Sequence, residues 1–207
     1  MSLAKRSDEH SYHHGSLRDA LLERAAEVIE AEGLEALTLR GLARDLGVSH
    51  GAPNRHFPSR EDLVAAVAVK GIESARAAML DSMAAADPDP WVQLNAMGRG
   101  YLKWALGHRT LFRVVTHPDI GRLDHPDLTE RMRETEAMVR DAVLATQATG
   151  RHPDVDTDIL TLYTQSVPWG AALLMTTPRA QLPEPGPALD DLVARIVELV
   201  VPIAGRT

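Results

Sequence analysis

The fold of this chain is decided by residues 38–63, which read TLRGLARDLGVSHGAPNRHFPSREDL. Thr38 is a favourable N-cap, because its hydroxyl can accept a hydrogen bond from the first free backbone N–H groups of a helix. The residues after it place apolar side chains on one side of a short helix: Leu39, Leu42, Ala43 and Leu46. Gly47 predicts the end of that helix, since glycine readily adopts the left-handed conformation of a sharp turn.

A second short helix is predicted directly after this turn. Ser49 offers it an N-cap, and Phe57-Pro58 should end it, so we expect it to span about residues 50–56. Phe57 is expected to anchor it in the core. Ser59 and Asp62 then cap a longer helix that runs to about Ala85. Two short helices joined by a Gly-Val-Ser turn form a helix-turn-helix, and the second of the pair is the element such motifs present to a DNA groove.

The rest of the chain also has helical periodicity and no sustained alternation of the strand type. We therefore predict an all-α protein of about nine helices, with a three-helix DNA-binding domain over residues 1–60 and a helical bundle over residues 61–207. Besides the elements above, the predicted helices are 16–33, 90–107, 109–116, 127–149, 155–177 and 188–204.

The charge is unevenly distributed along the chain. The 207 residues carry a formal charge of -7, which on its own argues against a nucleic-acid partner. Residues 38–60, however, contain four arginines and a single acidic residue, Asp45. A locally positive segment with small polar side chains is typical of a phosphate-contacting surface, although an ordinary solvated helix face fits the charge equally well.

Composition excludes several classes of protein. There is no cysteine, which excludes disulfides, thiol catalysis and thiolate metal sites. No apolar run approaches the roughly 18 residues of a spanning helix, and the first residues lack a signal-peptide pattern. We therefore expect a cytoplasmic protein without membrane contact.

The second short helix has the chemistry of a base-reading element. Ser49, His50, Asn54 and Arg55 supply hydrogen-bond donors and acceptors, whereas Gly51, Ala52 and Pro53 are small enough to let the backbone approach base edges. Together with the spacing from Thr38 to Leu63, this segment resembles the DNA-binding domain of the TetR family of bacterial transcriptional regulators. The resemblance starts near Leu17 and covers some fifty residues.

The resemblance implies an all-helical homodimer that binds an operator in double-stranded DNA and is usually released from it by a small molecule. It implies phosphate contacts for Thr38, His56 and Arg60, and base-facing positions for Arg40, Ser49, His50, Ala52, Pro53 and Arg55. Asn54 stands where the family most often has a tyrosine that packs on the DNA backbone. Trp169-Gly170 stands where one subgroup has a His-Gly pair.

A ligand site is expected from the scarce aromatic side chains of the C-terminal part. The candidate lining residues are Met97, Tyr101, Trp104, His108, Phe112, Tyr163, Gln165 and Trp169. Each aromatic residue fits ordinary core packing as well as a pocket, and Pro168 should kink its helix where a pocket needs room.

The last two helices are expected to form the homodimer interface. Residues 189–201 are apolar over most of the predicted helix circumference, and residues 171–174 add a second apolar patch. The small effector is therefore expected to act on a dimer that presents two DNA-reading helices about one DNA turn apart.

Two other functions are compatible with parts of the sequence. An enzyme would use the histidine and aspartate residues of the C-terminal part, but there is no nucleophile motif, glycine-rich phosphate loop or paired metal-ligand spacing, so we expect no catalytic residue, metal or cofactor. A pure interaction module that has lost DNA affinity is the other alternative. Asn54 supports this alternative, because it stands where the family most often has a tyrosine that packs on DNA.

Overall fold

The computed structural model describes residues 17–177 and 180–198, which form eight α-helices and three 3₁₀ turns and no strand. The α-helices are α1 (Leu17–Glu32), α2 (Leu39–Asp45), α3 (Arg60–Ala84), α4 (Pro90–Gly107), α5 (Arg109–Val115), α6 (Pro126–Ala148), α7 (Thr157–Met175) and α8 (Pro187–Glu198). The all-α prediction is confirmed. Two compact units divide the chain, Met1–Arg60 and Glu61–Thr207.

The first unit is built on the apolar face of α1. The core residues are Leu21, Leu22, Ala25, Val28, Ile29, Leu34, Leu37, Leu42, Ala43 and Phe57. Phe57 is 2% exposed, which confirms its predicted role as an anchor, and the Arg18 guanidinium lies 5.4 Å from its ring centre. Gly33 ends α1 at φ 90° and Gly47 follows α2 at φ 65°, so both turns use the left-handed conformation that glycine favours.

The element after this turn is shorter than predicted. Only Pro53–Arg55 is helical, and it is a 3₁₀ turn rather than an α-helix over residues 50–56. Pro53 has no N–H to donate, and the backbone closes three-residue bonds instead, from Ala52 to Ser49 and from His56 to Pro53. This element accounts for the difference between the eight α-helices observed and the roughly nine helices predicted. The Ser49 cap was also wrong, because the residue before the turn is Ala52 and no side chain caps it.

The second unit is a bundle arranged around α4, which contacts α5, α6, α7 and α8. α4 starts where proline at the first helical position predicts, and the Asp89 carboxylate caps it by accepting from the N–H groups of Trp91 and Val92. A core cluster of this unit includes Leu102, Trp104, Phe112, Ala172 and Val193.

α3 and α4 cross at Gly100. A methyl group at this position would lie 2.5 Å from the Ala78 carbonyl oxygen and 2.9 Å from the Met79 α-carbon. These are backbone atoms, which cannot rotate away as the end of a side chain can. Glycine is therefore the residue that lets the two helices approach closely.

Gly100→Ala should consequently destabilise the protein by about 1–3 kcal/mol, the usual cost of overpacking a core. Chemical denaturation followed by circular dichroism measures this. Gly107→Ala is the matched control, because nothing lies within 4 Å of its added methyl group at the end of the same helix. Equal stability of the two variants would contradict the close crossing.

Candidate DNA-binding surface and ligand cavity

The start of α2 and the 3₁₀ turn form one concave surface in the first unit. Thr38 caps α2, with its Oγ1 accepting a 3.1 Å bond from the Gly41 N–H, as predicted. A cleft beside it is lined by Thr38, Leu39, Arg40, His50, Gly51, Asn54 and Arg60. Five residues predicted to bind DNA are thus brought together, although they lie up to 22 positions apart in sequence.

Asp45, the acidic residue of segment 38–60, is neutralised by an arginine from outside that segment. Asp45 accepts two hydrogen bonds from Arg24 of α1, at 3.0 and 2.9 Å. These bonds also tie α1 to α2. Because Asp45 is paired with Arg24, it neutralises little of the positive charge of residues 38–60.

Arg40 and Arg55 are exposed, and within the described residues neither has a carboxylate partner at salt-bridge distance. Ser49, His50, Asn54 and His56 are exposed as well. Exposed cations that are not paired with carboxylates are available to neutralise phosphates or to bind guanine edges.

Two predicted base-facing residues lie deeper than expected. Pro53 is buried and Ala52 is half-buried. The 3₁₀ turn buries Pro53 and leaves Asn54 and Arg55 exposed. Base contact by Pro53 stays a prediction, and its burial does not favour it.

Arg60 has a structural role that the sequence did not reveal. Its Nε donates to the Leu37 carbonyl at 3.0 Å, and its Nη2 donates to the Leu34 carbonyl at 2.8 Å. Both carbonyls belong to the 3₁₀ turn and loop between α1 and α2. The phosphate contact implied for Arg60 therefore applies only to its remaining N–H groups.

Arg60→Ala should destabilise the first unit by about 1–3 kcal/mol, since it leaves two part-buried carbonyl groups without their charged donor. A fall in thermal midpoint measures the effect. Arg44→Ala is the control within the same unit, because the Arg44 side chain is 78% exposed and its guanidinium lies 3.6 Å from the Asp45 carboxylate. Identical thermal midpoints for both variants would argue against a clamp at Arg60, in which its two hydrogen bonds hold the loop between α1 and α2.

The second unit contains a cavity of about 430 Å³ between its helices. This volume lies within the usual range for small-molecule sites. Its lining is mainly apolar: Ile72, Ala75, Met79, Leu94, Met97, Gly98, Tyr101, Val115, Thr116, Met132, Thr135, Glu136, Val139, Leu162, Thr164, Gln165, Ser166, Pro168 and Trp169. Four of the eight predicted ligand residues, Met97, Tyr101, Gln165 and Trp169, are among them.

The other four predicted ligand residues do not line this cavity. Trp104 and Phe112 are core residues, 3% and 1% exposed, with ring centres 6.4 Å apart in an edge-on contact. The Trp104 indole N–H donates to Ser74 Oγ, and His108 stacks on the Trp104 ring. Tyr163 is on the surface. Ligand contact by these four residues stays a prediction that this cavity does not support, since helical spacing does not distinguish a packed face from a cavity wall.

Sequence reasoning missed the walls that α3 and α6 contribute. From α6 these are Met132, Thr135, Glu136 and Val139, which recur at helical spacing but mix polar and apolar types. Such a mixture is typical of a partly exposed helix face, so no signal separated it from the surface.

Burial raises the pKa of the Tyr101 phenol, which keeps this hydroxyl protonated.

One face of α7 is apolar and uncovered in the single chain. The exposed residues on it are Ile159, Leu162, Tyr163, Trp169, Leu173 and Leu174, with Ser166 between them. Ala172, by contrast, is buried, and Val193 and Val197 of α8 pack with it in the same core cluster. These three cannot face a partner as expected. Residues 199–201 of the predicted interface lie outside the described residues.

In the described part of the chain, no helix is long and apolar enough to cross a membrane, and no group of three histidine or acidic side chains is placed to hold a metal ion. A helix-turn-helix with exposed arginines, unpaired among the described residues, in one unit, together with a helical bundle that contains an open cavity in the other, is typical of a DNA-binding transcriptional regulator. Residues 21–67 match the sequence profile of the bacterial regulatory proteins of the tetR family. The chain therefore carries a TetR-family DNA-binding domain, and the resemblance seen in the sequence is confirmed.

Solved structures have a similar fold over more than nine-tenths of the chain. A protein of unknown function from Rhodococcus sp. RHA1 is 29% identical, with a TM-score of 0.76 over 93% of this chain and 97% of that one. The ketosteroid transcriptional regulator KstR2 of Mycobacterium tuberculosis is 21% identical, with a TM-score of 0.66 over 91% and 94%. A tetR-family regulatory protein from Rhodococcus RHA1 is also 21% identical, with a TM-score of 0.73 over 94% and 100%. No curated protein sequence matches the chain.

Proposed function

We propose that this protein is a ligand-responsive repressor, which binds a palindromic operator as a homodimer and is released by a small, mostly apolar molecule. The observation that carries the proposal beyond DNA binding is the 430 Å³ cavity in the second unit. A cavity of that size, walled mainly by apolar side chains with a few polar groups, is the usual form of a small-molecule site.

The exposed face of α7 supports the dimer. A monomer in water rarely leaves six large apolar side chains uncovered along one helix, and a two-fold contact would bury them against their own copies. Two of the six, Leu162 and Trp169, also line the cavity. A dimer formed through α7 would therefore contact the effector site, which gives a ligand a direct route to the geometry of the dimer.

Release from DNA would follow from a shift between two populations. The effector must bind the arrangement that is incompetent for DNA more tightly than the competent one, and it can shift the equilibrium only by that difference. α3 begins at the last residue of the first unit and supplies the cavity residues Ile72, Ala75 and Met79. It is the element through which we expect the change to reach the DNA-binding unit.

Enrichment of genomic fragments on the purified protein tests the DNA part of the proposal. One or a few pseudo-palindromic sequences should be retained at low salt, and their affinity should fall steeply as salt rises. A ligand panel should then include compounds that release those fragments. Absence of any enriched sequence would contradict the repressor and favour an interaction module, whereas turnover of a panel compound would favour an enzyme.

A further inference from the structure

The polar side chains of the cavity are mostly hydrogen-bond acceptors, and this restricts its ligand. We propose that the cavity selects an apolar molecule with a protonated amine head, and that it discriminates against carboxylates of the same length. The inference rests on the proposed function only in taking this cavity as the effector site.

Four threonine and serine hydroxyl groups line the cavity, and each donates its hydrogen within the protein. Thr116, Thr135, Thr164 and Ser166 donate to the carbonyl oxygens four residues earlier in their own helices or helix ends, at distances of 2.7 to 2.8 Å. A hydroxyl has one hydrogen and two lone pairs. While these helical bonds are kept, the four groups can only accept hydrogen bonds from a ligand, so they favour a ligand that donates.

Glu136 is the charged side chain in the lining; it is exposed to water, and no arginine of its helix pairs with it. The arginines of α6 around it pair with other carboxylates: Arg131 with Glu134 at 2.7 Å, Arg133 with Glu130 at 2.7 Å and Arg140 with Asp158 at 3.0 Å. Across residues 17–177 and 180–198, Glu136 itself takes part in no ion pair or hydrogen bond. A cationic head beside it would gain an attraction, whereas a carboxylate would be repelled.

The remaining polar groups do not reverse this preference. The Tyr101 phenol and the Gln165 amide can donate, but both are neutral, and they can accept from an amine equally well. The rings of Tyr101 and Trp169 attract cations through their faces. Met79, Leu94, Met97 and Val139 provide the apolar wall for a hydrocarbon tail.

Isothermal titration calorimetry on the full chain at pH 7 tests the proposal with octylamine, octanol and octanoate, which share one tail and differ in head. Octylamine should bind about tenfold more tightly than octanoate, with octanol between them. Glu136→Gln should weaken octylamine about fivefold, strengthen octanoate and leave octanol unchanged. Asp141→Asn is the matched control, because it removes one exposed carboxylate from the same helix outside the cavity and should change none of the three affinities.

Three results would overturn the inference: octanoate binding as tightly as octylamine, no binding of any of the three, or the same response from Glu136→Gln and Asp141→Asn. Its failure is separable from failure of the proposed function, because the affinities are measured without DNA. Octylamine that binds in the expected order but leaves the protein on its enriched DNA fragment would support the ligand class and contradict the release mechanism.

Discussion

Leu174→Glu should convert the protein from a dimer to a monomer. Leu174 is 71% exposed in the single chain and lies on the apolar face of α7, which we propose to be covered by a second copy. By two-fold symmetry the substitution places two carboxylates in that interface. Each buried, unpaired charge costs about 3 kcal/mol or more, so the dimer dissociation constant should rise by at least about 100-fold.

Analytical ultracentrifugation over a range of concentrations measures the effect. Leu80→Glu on α3 is the matched control, because it makes the same change at another exposed leucine, 45% accessible, that lies off the α7 face. It should leave the dimer intact. Operator affinity should fall with dimerisation in the α7 variant, since two linked half-site contacts bind far more tightly than one. A dimeric Leu174→Glu protein would place the interface elsewhere.

The boundaries of the helices were predictable because they depend on local chemistry. Thr38 and the Asp89-Pro90 pair start α2 and α4 through hydrogen bonds within three residues of themselves. Gly33 and Gly47 end helices through their own backbone angles. Signals of this kind need no knowledge of the rest of the fold.

The 3₁₀ turn at Pro53 and the clamp at Arg60 were not predictable in the same way. Proline is acceptable in the first turn of an α-helix, so no residue indicated a shorter element. Arg60 reaches carbonyl groups 23 and 26 residues earlier, and only the packed unit brings them within 3.0 Å. An arginine after a helix-turn-helix suggests phosphate contact, and its structural role becomes visible only with the loop in place.

The ligand site was even less predictable from local sequence than the Arg60 contacts. The scarce aromatic residues were predicted to line the site, yet Trp104 and Phe112 fill the core. Threonine, methionine and one glutamate of α6 line the cavity instead. Whether a helical face packs or leaves a void depends on the distance between helices. Close approaches such as that at Gly100 set this distance, and periodicity does not report it.

Arg55→Ala should weaken binding to the operator and relax specificity at one base pair in each half-site. Arg55 ends the 3₁₀ turn, is exposed, and has no carboxylate partner among the described residues. A guanidinium that donates to a guanine edge contributes about 1–3 kcal/mol, which becomes about 2–6 kcal/mol when a dimer loses both contacts. Fluorescence anisotropy with the selected operator, and with variants that carry each possible base at every position, measures both the loss and its position.

Arg44→Ala separates base reading from general charge, because it removes one positive charge from the same segment at a side chain that is 78% exposed and lies 3.6 Å from Asp45. We expect it to weaken all operator variants by a similar, smaller factor and to lower the salt dependence by about one phosphate contact or less. If Arg55→Ala also weakens every variant uniformly, Arg55 contacts phosphate, and base reading must be assigned to Arg40, His50 or Asn54. A single base pair that loses its preference only in the Arg55 variant would assign that pair to the 3₁₀ turn and fix the register of the protein on its operator.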